Sequence, residues 1–211
     1  MKKKTGRLFR WGVAGLCILA LVSAFAAACA DPDNVAINEA NFPDPVFRAY
    51  IKENFDKPQT GATVGDGCLD PWEIGKIERI YVYEKGISSV KGIEYLSSLR
   101  VLYMGRNNVS AIDLSKNLEL ETLSIDSNPL TSLDVSQNEA LSYLTCSYCK
   151  IGSLDVSNCR LGTLYCSENE LTSLKLGKQD DLTSLFCFGN KLTSLDVSGC
   201  RALQDLQCYD N

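Results

Sequence analysis

Residues 120–140 read LETLSIDSNPLTSLDVSQNEA, and residues 141–160 follow with LSYLTCSYCKIGSLDVSNCR. Aligned on Leu120 and Leu141, the two stretches set Leu120, Leu123, Ile125, Leu130, Leu133 and Val135 against Leu141, Leu144, Cys146, Ile151, Leu154 and Val156. Leu99, Leu161, Leu182 and Leu203 open further copies, so the spacings from Leu99 onward are, by subtraction, 21, 21, 20, 21 and 21. A chain that repeats at this period is a stack of similar units, each burying its apolar side only against its neighbours.

Within a unit the frame is LxxLxLxxNxL. It recurs as Leu161, Leu164, Cys166, Asn169, Leu171 and as Leu182, Leu185, Cys187, Asn190, Leu192. Ile77, Ile80, Val82 and Ile87 make a looser first copy, and the seventh stops at its amide, Asn211, so the reading frame is expected to run further. Alternation around LxL predicts one short strand per unit with its leucines on one side. Stacking these strands gives a single parallel β-sheet. The return path, LTSLDVS at 130–136 for example, is too short and too β-branched for a regular helix and is expected to be extended or 3₁₀.

Met104, Ile125, Cys146, Cys166, Cys187 and Cys208 share one apolar column. A column that accepts Met, Ile and Cys belongs to the core, where cysteine acts as a small apolar group. Neighbouring strands lie about 4.8 Å apart, so distance alone does not forbid disulfides along it. Side chains in register point the same way, however, and a ladder of buried thiols is expected. Asn107, Asn128, Asn169, Asn190 and Asn211, with Cys149 once in their place, stand where the chain leaves the strand and are read as amides satisfying turn backbone. Asp113, Asp134, Asp155 and Asp196, interrupted by Lys175, are read as turn formers. Cys159 and Cys200 fall on the convex edge two copies apart, too far to bridge each other.

The residues alternating with the core leucines face the concave side. Aromatic rings recur there at Tyr81, Tyr83, Tyr103, Tyr143, Tyr165, Phe186, Phe188 and Tyr209. Rings also suit strands for purely local reasons. Side-by-side rings left facing water are nevertheless typical of interface anchors, so these eight are the candidate ligand-binding residues, with Tyr143, Tyr165, Phe186 and Phe188 at the centre.

Ahead of the repeats (76–211) the grammar changes. Residues 1–30 carry Lys2, Lys3, Lys4, Arg7 and Arg10 before an apolar run from Trp11 to Ala28, the pattern of a secretory signal peptide. Cleavage after Ala30 fits the small-x-small rule, and Ala26-Ala27-Ala28-Cys29 alternatively offers Cys29 as a lipid-anchor site. In residues 31–75, Asp44-Pro45 marks a helix start followed by Val46, Phe47, Tyr50, Ile51, Asn54 and Phe55 at helical spacing. Asp70-Pro71 marks a second start, with Glu73 at the capping-box position and Trp72, Ile74 and Ile77 available for packing. Together these predict a helical cap over the first unit.

The repeats, through LTSLDVSQN, LTSLDVSGC, LTCSYCK and LYCSENELTSL, resemble bacterial cell-surface leucine-rich-repeat proteins related to the internalins, of the 21-residue type with a cysteine ladder. The stretch INEANFPDPVFRAYIKENFD resembles the domain that precedes such repeats. The resemblance covers residues 77–211 and implies a leucine-rich-repeat solenoid with its sheet on the concave face. It further implies a secreted or surface-exposed scaffold that recognises a protein or glycan, in adhesion or host contact. The other reading is a spacer module within a larger surface protein.

Composition narrows the chemistry. Removing the leader's five basic residues from 21 leaves 16 against 26 acidic ones, a formal charge of −10. Nucleic acid is not an expected partner of such a surface, and no membrane span is expected once the leader is removed. The sequence has no histidine, so Ser-His and Cys-His nucleophile pairs are excluded and no enzyme is expected. No cofactor is expected either. Asp66, Asp70 and Glu73 imitate the second half of an EF-hand calcium loop, but Ala62 and Val64 occupy its first ligand positions unless the loop bulges to bring in Asp56. Capping by Asp70 and Glu73 explains the same residues without a metal.

Overall fold

The computed structural model describes residues 29–57 and 65–211. Of the expected leader, only Cys29 and Ala30 fall within the described residues. Among the described residues no helix is long and apolar enough to cross a membrane.

Seven three-residue strands build the main sheet: β3 (Arg79–Tyr81), β4 (Val101–Tyr103), β5 (Thr122–Ser124), β6 (Tyr143–Thr145), β8 (Thr163–Tyr165), β10 (Ser184–Phe186) and β11 (Asp205–Gln207). They are hydrogen-bonded in the order β11-β10-β8-β6-β5-β4-β3. Every pairing is parallel, and Ile80, Leu102, Leu123, Leu144, Leu164, Leu185 and Leu206 share one register line. A period of about 21 residues leaves each rung beside the next, so identical columns stack. The return path adds only β7 (Ser153–Asp155) paired with β9 (Ser173–Lys175), and a 3₁₀ turn at Ile93–Tyr95. The rest of it runs without regular helix, as its β-branched composition requires.

Inside the stack, Leu99, Leu120, Leu141, Leu161 and Leu182 are fully buried, and so are Val82, Met104, Ile125, Cys146, Cys166 and Cys187. The thiol ladder is therefore core. Burial holds the Cys146 and Cys166 thiols far up in pKa and pushes Cys187 up to about 11, so these sulfurs stay protonated and apolar.

Two amide columns lock the corners. Asn107, Asn128, Asn169, Asn190 and Asn211 each donate to a carbonyl of the preceding rung, at Val82 (2.7 Å), Met104 (3.0 Å), Cys146 (2.8 Å), Cys166 (3.0 Å) and Cys187 (3.0 Å). Where Cys149 replaces the amide, its Sγ donates to Ile125 O at 3.6 Å. Glu84, Arg106, Ser127, Tyr148, Glu168 and Asp210 turn this corner at φ between 52° and 56°, and Gly189 does so at 65°. The left-handed backbone costs a non-glycine residue on the order of 1–2 kcal/mol, and after Arg106, Ser127, Glu168 and Asp210 the adjacent amide holds that conformation in place. Sequence reading missed the second column on the convex side. There Asn117 donates to Ile93 O and Leu96 O, Asn138 to Leu114 O and Asn117 O, and Gln179 to Val156 O, Cys159 O and Leu176 O. Cys159 stands in this series as Cys149 does in the other, its Sγ donating to Val135 O at 3.7 Å.

The cap consists of β1 (Val35–Ala36), α1 (Pro45–Phe55), β2 (Cys68–Leu69) and α2 (Pro71–Ile74), with β1 and β2 antiparallel. Asp44 caps α1 through Val46 N–H and Phe47 N–H, both 2.9 Å, while its other oxygen receives Ser88 N–H and Ser89 N–H from the first repeat. Burial raises its carboxyl, but these four backbone donors outweigh that and leave the pKa lowered. Phe42, Phe47 and Ile51 are fully buried over the first rungs, and the Tyr50 hydroxyl accepts Tyr81 N–H at 3.1 Å on the otherwise free edge of β3. Gly92 lies so close to Phe42 that a Cβ there would stand 2.3 Å from its ring.

Two packing expectations need correction. Val46 is exposed, so the buried stripe of α1 is narrower than its spacing suggested, and Trp72 is 68% exposed with Lys76 Nζ 5.9 Å from its ring centre. Helix α2 is too short to turn both Trp72 and Ile74 inward.

Candidate functional site

Strand register decides which rings meet. Tyr81 pairs with Tyr103, and Tyr103 with Ser124; Thr145 then pairs with Tyr165, and Tyr165 with Phe186. The result is two aromatic groups on one concave face, separated by a polar strip on β5 and β6.

In the first group Tyr81 and Tyr103 stack with ring centres 5.5 Å apart and planes at 14°. Tyr83 lies under the Arg106 guanidinium at 5.7 Å. Gly105 makes room for it: a Cβ there would stand 3.3 Å from the Tyr83 ring.

The second group is larger. Tyr165 and Phe186 stack at 4.6 Å and 19°, Phe188 and Tyr209 at 4.7 Å and 6°, and Tyr143 meets Tyr165 edge-on at 6.2 Å. Tyr81, Tyr83, Tyr103 and Tyr209 are exposed, whereas Tyr143, Tyr165, Phe186 and Phe188 are half-buried against one another. Burial, then the neighbouring Tyr165, pushes the Tyr143 phenol up, so it remains a neutral hydroxyl. All eight candidate rings thus stand at the surface of the concave sheet, with Cys166 and Cys187 behind them.

Asp126 organises the polar strip. It accepts Ser147 N–H at 2.8 Å and the Ser124 hydroxyl at 3.2 Å, and also the Thr145 hydroxyl. Those bonds occupy both of its oxygens with its own neighbours. Tyr148, 61% exposed at a left-handed corner, is a ring that alternation could not place, because it lies beyond the strand.

The aspartates of the return path serve the backbone. Asp113, Asp134, Asp155 and Asp196 each accept the N–H two residues ahead at 2.9 Å, as turn formers do. The cleft lined by Ser132, Asp134, Ser153 and Asp155 lies among these convex turns. At the cap, Asp66 accepts Cys68 N–H, Asp70 accepts Glu73 N–H and Glu73 accepts Asp70 N–H, which is the capping box. Asp56 accepts Gly67 N–H at 3.1 Å, and burial raises the carboxyls of both Asp56 and Glu73. Among the described residues no group of three or more acidic, cysteine or histidine side chains is arranged to hold a metal ion.

No protein-family model matches the chain, and no curated protein matches it. Solved structures do. The functional domain of InlJ from Listeria monocytogenes, described as including a cysteine ladder, superposes with a TM-score of 0.64 at 29% identity, over 83% of this chain and 42% of that one. Internalin C2 from Listeria monocytogenes gives 0.50 at 16% identity, over 84% of this chain and 98% of that one. The leucine-rich-repeat domain of APL1B gives 0.50 at 17%, over 99% of this chain and 61% of that one. At those identities the last two speak for the fold alone.

Proposed function

We propose that this internalin-like leucine-rich-repeat solenoid with a cysteine ladder is a protein-binding scaffold, exported and displayed, whose concave aromatic face grips its partner. The carrying observation is the set of stacked rings held at the surface by strand register. A rigid ring fixed by its neighbour loses little further freedom on binding, which is why aromatic clusters make strong interface anchors.

The stacking also favours a protein over a glycan. Sugars lie flat on an open ring face. Here Tyr103, Tyr165, Phe186, Phe188 and Tyr209 each give one face to a neighbouring ring, with centres 4.6–5.5 Å apart. What the sheet presents is two packed aromatic clusters in which part of each stacked ring is already covered. Such clusters suit the side chains of another protein. The basic, apolar leader supports the export part of the reading, which places the face where host or neighbouring-cell proteins are met.

The test is capture of surface proteins from candidate host cells by the immobilised chain, run beside a glycan array. Substitution of Tyr143, Tyr165, Phe186 and Phe188 by alanine is expected to reduce protein capture at least tenfold while circular dichroism is unchanged. Capture that survives the four substitutions, or specific binding to glycans alone, refutes the proposal. A spacer module captures nothing above background in either assay.

A further inference from the structure

The sequence around the leader's end is Ala26-Ala27-Ala28-Cys29-Ala30-Asp31, and it admits different fates for one sulfur. Cleavage after Ala30 discards Cys29. Lipid-anchor processing keeps it and turns its sulfur into a thioether. Cleavage after Ala28 without acylation keeps it as a thiol.

The fold bears on this choice through Cys68. That residue begins β2, where Ala36 pairs with it across the antiparallel ladder and Ile37 N–H donates to Gly67 O at 2.8 Å. Its side chain is 1% exposed, so whatever meets its sulfur must come from within the fold. Cys29 does so. The two are joined as a disulfide with Cα atoms 5.9 Å apart, inside the separation that a disulfide spans without moving the backbone. The seven other described cysteines are free thiols in the ladder and the turns. They follow the repeat columns; Cys29 and Cys68 stand outside the repeats altogether.

We infer that the mature chain begins at Cys29, released by cleavage after Ala28, and that Cys29 is bound to Cys68 rather than to a lipid. Ala26 and Ala28 supply the small side chains that signal cleavage needs. In the cut, water adds across the Ala28–Cys29 peptide bond, leaving a free amino group on Cys29. In the oxidation, the two thiols give up two protons and two electrons to a disulfide-exchange oxidant outside the cytoplasm, which leaves as two thiols. Acylation and oxidation compete for the same sulfur and exclude each other. The bridge fastens the first mature residue to the sheet of the cap, across a separation of 39 residues that includes α1.

This inference rests on the export reading, and one experiment separates the two. The full chain is expressed with its own leader in a secreting bacterial host, and the product is purified without reductant for N-terminal sequencing, intact mass and thiol counting in denaturant. The expected product starts at Cys29, titrates seven thiols before reduction and two more after it, and yields a peptide pair linked through Cys29 and Cys68. Cys68→Ser is expected to free Cys29, adding one thiol before reduction and none after. An N-terminus at Asp31, or a diacylglyceryl mass on Cys29 with Cys68 free, overturns the inference while leaving export intact. A retained chain that still carries Met1 overturns both.

Discussion

The first and the last described rungs carry the same columns in different surroundings. At the N-terminal end the first rung is covered: Ile80 and Val82 are fully buried beneath a cap that presents Phe42, Phe47 and Ile51. In the last described rung Leu206 is 41% exposed and Cys208 exposed, although Leu185 and Cys187 in the same columns one rung earlier are fully buried. A residue's role in such a stack is therefore set by what lies beside its rung as much as by its own chemistry. The pattern supplies the column, and the neighbour supplies the burial.

Breaking this comparison at its strongest point means deleting the same leucine in the middle and at the end. Leu144→Ala is expected to cost about 2–5 kcal/mol in denaturant unfolding because both flanking rungs lose contacts. Leu206→Ala is expected to cost well under half of that, and equal losses would show that the ends and the middle do not differ. Next in size is the cap. Asp44→Ala removes the α1 cap together with the ties to Ser88 and Ser89, for an expected loss of about 1–3 kcal/mol and earlier hydrogen exchange in α1 than in β6.

A smaller effect should appear at high pH. Burial raises Cys187, and likewise Cys159, from the ordinary 9.0 to about 11. The folded chain thus holds these protons to a higher pH than the unfolded one. Their contribution is full below about pH 9 and is lost as the pH climbs through about 11. A Cys187→Val variant is expected to show a shallower alkaline loss of stability in the same titration. The smallest effect expected is a gain. Cys149→Asn restores the amide of its column and should stabilise by about 1 kcal/mol, measured as a shift in the urea midpoint.

Much of this was legible in the chain. The Leu and Asn columns could be read because a fixed period forces equivalent residues onto one line, and the eight rings because strand alternation assigns a side to each residue. The convex column of Asn117, Asn138, Cys159 and Gln179 was not, because its residue types vary from copy to copy. Nor was the tie of Asp56 to Gly67 N–H, because 11 residues separate the two and no periodic spacing links them. Trp72 was misjudged for a related reason: spacing gives a helical face, but not whether a helix of one turn has anything to bury that face against.

By itself the sequence determined the period, the columns and the two faces of the sheet, because those follow from local alternation repeated many times. The tertiary structure alone decided which rings stack, because ring overlap depends on the lateral offset between neighbouring rungs. It alone also joined Cys29 to Cys68. No local rule connects two sulfurs 39 residues apart; the antiparallel pairing of β1 with β2 brings them together.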